Sequence, residues 1–112
     1  MENKMRDERT LNLTEQALKI ILHAGDGKLL TKEALKHLEN GESMQAEKKL
    51  DQAQESLRIA RGTQMDVIQM ETNGQKVPHL HLFAHAQDIL MTATSEWTMA
   101  THIAVLVNKE DT

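Results

Sequence analysis

Apolar residues recur along this chain at three- and four-residue intervals, and interruptions in that rhythm divide it into three segments. The interruptions are "ENGES" at 39–43 and "ETNGQKVP" at 71–78; each holds an Asn-Gly pair, and the second closes on the only proline. Helices are therefore predicted over about 11–39, 43–71 and 78–108. In the first, positions 13, 17, 18, 20, 21, 22 and 24 are apolar, and then 29, 30, 34, 35 and 38. The intervening "GDG" at 25–27 sets two glycines inside the helix, at a cost of about 1–2 kcal/mol, which by itself permits a break. The expectation is a continuous helix that uses Gly25 for close packing.

The second segment carries a regular seam: Ala46, Leu50, Ala53, Leu57, Ala60, Gln64 and Val67, spaced alternately by four and three. This heptad pattern marks helices packed nearly parallel or antiparallel. Gln64 is its one polar member, read as a setter of register. Lys, Glu, Asp and Arg fill the outer positions, as a solvated face requires.

The third segment has two stripes. Phe83, Ala86, Leu90, Ala93, Trp97, Ala100, Ala104 and Val107 form one; His81, His85, Asp88, Thr92, Ser95, Met99, His102 and Leu106 form the other. At about 100° per residue the two lie on opposite sides of a helix. The first suits packing on the chain's own two other helices. The second is too poor in charge for an ordinary solvent face, since Asp88 and Glu96 are the only charged residues from Pro78 to Asn108. A helix poor in charge all round is usually buried all round. Two partner helices cannot surround it, so the third helix is expected at the centre of a homo-oligomer.

At 112 residues the chain is long enough for one domain, 1–112, with a modest core. Phe83 and Trp97 are the only aromatic residues, so that core is built from Leu, Ile, Val, Ala and Met, a composition suited to an all-α fold. The absence of cysteine removes disulfides and thiolate metal sites. A net charge of −4 and the lack of stacking platforms argue against nucleic acid. The opening "MENKMRDERT" lacks the apolar run of a signal peptide, and no stretch approaches the roughly 18–20 apolar residues of a membrane span. A cytoplasmic protein is the expectation.

The chemistry of interest lies in "HLHLFAHAQDILMTAT", residues 79–94, where three histidines and an aspartate interrupt the most apolar part of the chain. Three readings fit these residues. His85 and Asp88 can be satisfied polar groups that set oligomer register. His81 and His85, one turn apart, can join Asp88 as ligands of a transition metal in an oligomeric helical metal-binding protein. His85 can act as a nucleophile that carries a group. No Walker-type phosphate loop is present, because "GDGK" lacks its framing, so any phosphoryl group would come from a protein or small donor. Near a symmetry axis Asp88 would meet its own copies, and converging carboxylates take up a proton or a cation. Composition and spacing leave the three readings side by side.

"HAQDILMTA" at 85–93 resembles the signature of the lactose/cellobiose-type IIA component of the bacterial phosphoenolpyruvate-dependent sugar phosphotransferase system. "ILHAGDGKLLTKEAL" at 21–35 and "NGESMQAEKKLDQAQESL" at 40–57 resemble its first two helices, and Gln64 matches a glutamine usual in the second. The resemblance runs from about Leu11 to Asn108. It implies a three-helix antiparallel bundle that assembles as a nine-helix homotrimer with the third helices innermost. It implies a phosphotransferase component in which His85 takes a phosphoryl group from the phosphocarrier HPr. The group then passes to a cysteine of the cognate IIB component during uptake of a β-linked disaccharide such as cellobiose, chitobiose or lactose. Gln87 would neighbour the phosphoryl site. Asp88 would meet its two copies around a divalent cation, usually magnesium, on the trimer axis. Contact with the membrane would be indirect, through the IIC transporter.

The chain departs from that pattern in places. Ile89 stands where many members carry a second histidine, and His79 and His81 occupy positions usually apolar or small. "GDGK" replaces the commoner Ala-Arg after Ala-Gly-Asp, and the alanine of "HAQD" leans towards the cellobiose and chitobiose branch.

Overall fold

The computed structural model describes residues 2–110, with side chains from 8 to 109. Its elements are α1 (Glu2–Glu39), α2 (Ser43–Thr72) and α3 (His81–Glu110), and there is no strand among the described residues. The chain order is up, down, up. Leu13 and Ala17 of α1 share a core cluster with Val67 near the end of α2 and with Phe83 near the start of α3. At the other end Ala34, Leu50 and Ala100 form a second cluster. Trp97 packs against both clusters, and its indole Nε1–H donates to the Leu50 carbonyl at 2.9 Å. The bundle is long and narrow, 65 × 21 × 18 Å. No helix among the described residues is long and apolar enough to cross a membrane.

The α1 helix is continuous through 25–27, as expected, but the glycine that permits close packing is Gly27 and not Gly25. A Cβ on Gly27 would lie 2.8 Å from Leu57 Cδ2, whereas one on Gly25 would meet nothing within 4 Å. The Gly27 carbonyl accepts the buried Thr31 hydroxyl at 2.8 Å. The helix also begins nine residues before the predicted start, at Glu2. Residues 2–10 carry no apolar rhythm to signal a helix, although Glu, Lys, Met and Arg favour one.

In α2 the buried seam is Ala46, Leu50, Ala53, Leu57, Ala60, Thr63 and Val67. Thr63 takes the place expected for Gln64, which is only half-buried. The reason is local: the Thr63 hydroxyl donates to the Ile59 carbonyl one turn back, 3.1 Å away, so it can be buried without an outside partner.

Both turns end their helices in the same way. Gly41 (φ 73°) donates to Leu38 while Glu42 donates to His37; Gly74 (φ 85°) donates to Glu71 while Gln75 donates to Met70. These are Schellman caps, which need a left-handed residue that glycine supplies without strain. The third helix starts at His81 and not at Pro78. Val77 and Leu80 pack against the core and hold the connector extended, and the Leu80 carbonyl accepts the first helical N–H groups, from Phe83 and Ala84.

Candidate functional site

The two stripes of α3 part as the sequence pattern predicts. Phe83, Ala86, Leu90, Ala93 and Ala100 are buried, and Trp97, Ala104 and Val107 are half-buried. His81, His85, Asp88, Thr92, Ser95, Met99, His102 and Leu106 are all exposed in the single chain. Met91, Met99 and Leu106 are each more than 60 % exposed, so this face presents large apolar side chains beside its polar ones. The α1 helix adds a second open apolar row that the sequence pattern did not set apart. Leu11, Leu18, Leu22 and Leu29, spaced by seven, four and seven, fall on one line and are all more than half exposed.

His85 is the fifth residue of α3, closer to the helix start than Pro78 suggested. Long side chains in helices lean towards the N-terminus, which from His85 is the direction of the first turn. There the backbone N–H groups of His81 and Leu82 precede the first helical hydrogen bonds. That end of a helix favours anions. Neither the His85 ring nor the Asp88 carboxylate has a hydrogen-bond or ion-pair partner among the described residues. Gln87 is half-buried and lies about 200° round the helix from His85, on the side of α3 away from the imidazole. His79 and His81 form an edge-on ring pair with centroids 5.1 Å apart, an association for which "HLH" was the only signal.

The reading of His81, His85 and Asp88 as one metal site is not supported. Among the described residues no group of three or more His, Asp or Glu side chains is placed to hold an ion. His81 and Asp88 share a face but stand seven residues apart, about 10 Å along the axis, too far to meet at one metal. Asp88 is an unpaired carboxylate on the open face of α3.

These features define a class: an all-helical bundle whose third helix offers an unengaged histidine near its start, on a face with no lysine or arginine before Lys109 at the far end. Comparison with known proteins makes that class specific. Residues 15–108 match the family described as PTS system, Lactose/Cellobiose specific IIA subunit. The chain is 40 % identical over 90 residues to the lichenan-specific phosphotransferase enzyme IIA component of Bacillus subtilis, covering 80 % of this chain and 82 % of that protein. It is 33 % identical to the cellobiose-specific EIIA component of Lactococcus lactis, covering 75 % of this chain and 72 % of that protein. The crystal structure of PtcA from S. mutans superposes with a TM-score of 0.87 at 29 % identity, over 88 % of this chain and 97 % of that one. That of the PTS cellobiose-specific enzyme IIA from Bacillus anthracis gives 0.82 at 29 % identity, over 87 % and 89 %. The chain belongs to the lactose/cellobiose-specific IIA family of the sugar phosphotransferase system.

Proposed function

We propose that this protein is a cytoplasmic phosphocarrier in which His85 receives a phosphoryl group from phospho-HPr and delivers it to a cysteine of a IIB component. The observation that carries this reading is the position of His85: an exposed, unengaged imidazole in the first turns of α3, inside "HAQD". A neutral imidazole is nucleophilic near neutral pH. Its ring nitrogen attacks phosphorus as the P–N bond to the donor histidine breaks, and the donor imidazole leaves neutral. In the second step a cysteine thiolate attacks, the bond to His85 breaks, and a P–S bond forms. Both steps exchange one high-energy bond for another, so the protein's contribution is positioning and charge stabilisation. The relatives named for lichenan and cellobiose favour a β-linked glucose disaccharide as the sugar served downstream.

The test is incubation of the full chain with phosphoenolpyruvate, enzyme I and HPr. One acid-labile, alkali-stable phosphate per chain is expected. With excess donor it is lost in His85→Ala and kept in His79→Ala, His81→Ala and His102→Ala. Labelling of His85→Ala equal to wild type would sink the reading.

The same reading includes a homotrimer with α3 innermost. Its support is the charge-poor outer stripe of α3, with Met91, Met99 and Leu106 open in the single chain, beside the leucine row of α1. Light scattering should return a trimer of the 12.7 kDa chain. Met99→Glu should yield helical monomers, and a wild-type chain monomeric at micromolar concentration would contradict the assembly. At the axis three Asp88 carboxylates would hold a divalent cation, magnesium by the hardness of the donors, whose role is to neutralise their mutual repulsion.

A further inference from the structure

Phosphorylation would place a charge of about −1.5 to −2 on a face of α3 where, among the described residues, the charged side chain next to His85 in the stripe is Asp88, itself negative. Beyond the free N–H groups at the start of α3, a side-chain cation would offset that charge. The basic residues of α3 are His81, His85, His102 and Lys109. His102 stands seventeen residues beyond His85, about 25 Å along the axis, and Lys109 lies farther still. At this end of the bundle Arg9 and Lys76 border a cleft with Val67 and Met70, on the side formed by α1, α2 and the connector. His85 sits on the part of α3 turned away from those helices. His81 remains. It is exposed, one helical turn before His85 on the same face, at a separation where side chains touch. Helical side chains lean towards the N-terminus, which from His85 is towards the turn that His81 begins. The edge-on contact with His79 restricts the His81 ring without supplying an acceptor for its N–H.

We propose that His81 binds the phosphoryl group on His85, donating an imidazolium N–H to a phosphoryl oxygen. This rests on the phosphocarrier reading of His85 and adds a residue to it. An imidazole takes up a proton near neutral pH, and an adjacent dianion favours that uptake. No bond to phosphorus forms or breaks at His81. Its proton stays on the imidazole, and the gain is lost when the group leaves for the acceptor. The consequence is thermodynamic: His81 shifts the phosphoryl equilibrium between HPr and this chain towards the chain.

The experiment mixes ³²P-labelled phospho-HPr with the full chain and reads the label on each protein at equilibrium. For an exposed charge-assisted contact, His81→Ala should lower the equilibrium constant about three- to five-fold. His81→Lys, which restores a cation, should return it to near the wild-type value, whereas His81→Gln should not. A smaller loss than His81→Ala is expected for His79→Ala, which only frees the His81 ring. His81 is the exposed first residue of α3, so all four variants should keep the wild-type helical content. An unchanged equilibrium in His81→Ala, or a His81→Lys chain no better than His81→Ala, overturns the assignment while leaving His85 as carrier. A wild-type chain that takes no label overturns the carrier reading beneath it.

Discussion

Gly27 is where α1 and α2 come close enough for a side chain to matter. A methyl group there meets Leu57 Cδ2 at 2.8 Å and Cγ at 2.9 Å, and Leu57 is fully buried, so it has to shift within a packed core. Overpacking of this kind costs about 1–3 kcal/mol, against a gain of about 1 kcal/mol in helix propensity. Gly27→Ala should therefore destabilise the protein by about 1 kcal/mol in urea unfolding. Gly62→Ala, in the interior of α2 with open space around it, should stabilise it by about 0.5–1 kcal/mol. If the two variants shifted stability in the same direction, the close approach at Leu57 would be wrong. The sequence singled out "GDG" but not the glycine that packs. Residues two apart lie about 200° round a helix, and which one faces inward depends on where α2 crosses. Gln64 and Thr63 were confused for a similar reason: both fit a three-four rhythm, and only Thr63 can satisfy its own hydroxyl within its helix.

The helices end where their sequences carry strong stop signals and begin where contacts hold the chain. Both Asn-Gly pairs close Schellman caps, and the predicted ends at 39 and 71 agree with Glu39 and Thr72 to within a residue. Gly41→Ala forces a Cβ into the left-handed region and should cost about 1–2 kcal/mol, visible as a lower urea midpoint with unchanged slope. Helix starts were less legible. Pro78 read as a first-turn residue, yet burial of Val77 and Leu80 delays α3 to His81. On the outer face of α2, Arg58 donates to both oxygens of Glu55 at 3.0 and 2.7 Å. That hydrogen bonding, ahead of the charge attraction, holds the Glu55 carboxyl below the usual carboxylate range. Its folded value is depressed, so the pair's contribution is present above the unfolded carboxylate's value and is lost as pH falls through the folded one. Glu55 and Arg58 are fully exposed, so the effect is small and screened by salt. Glu55→Gln should lower the melting temperature slightly at neutral pH and low salt, and not at all once the carboxyl is protonated.

Assembly is where the open faces of α1 and α3 have consequences. In the proposed trimer Asp88 is a charged group at a buried axis, and its replacement by leucine trades repulsion for apolar contact. Such exchanges come out neutral or more stable by about 1–4 kcal/mol. Asp88→Leu should remain a trimer, melt no lower than wild type, and lose the response of its melting temperature to chelator. Phosphorylation of His85 should survive at least in part, because the axial site lies deeper than the imidazole. A variant that falls to monomers, or that cannot be labelled at all, would count against a structural cation. Melting curves with and without chelator, beside the labelling assay, separate these outcomes.

Periodicity and punctuation sufficed for three helices, the inward stripe of α3 and the outward one. Those properties are local, set by which residues recur every three or four positions and by glycines that only a turn accommodates. The motif around His85 was legible because it lies in one unbroken stretch. Other features needed the helices in place: the glycine that packs, the threonine that replaces a glutamine in the seam, the start of α3, and the outward leucine row of α1. Each depends on which side of a helix another helix covers. That is a property of contacts between residues far apart in the chain, and sequence spacing along one helix does not carry it.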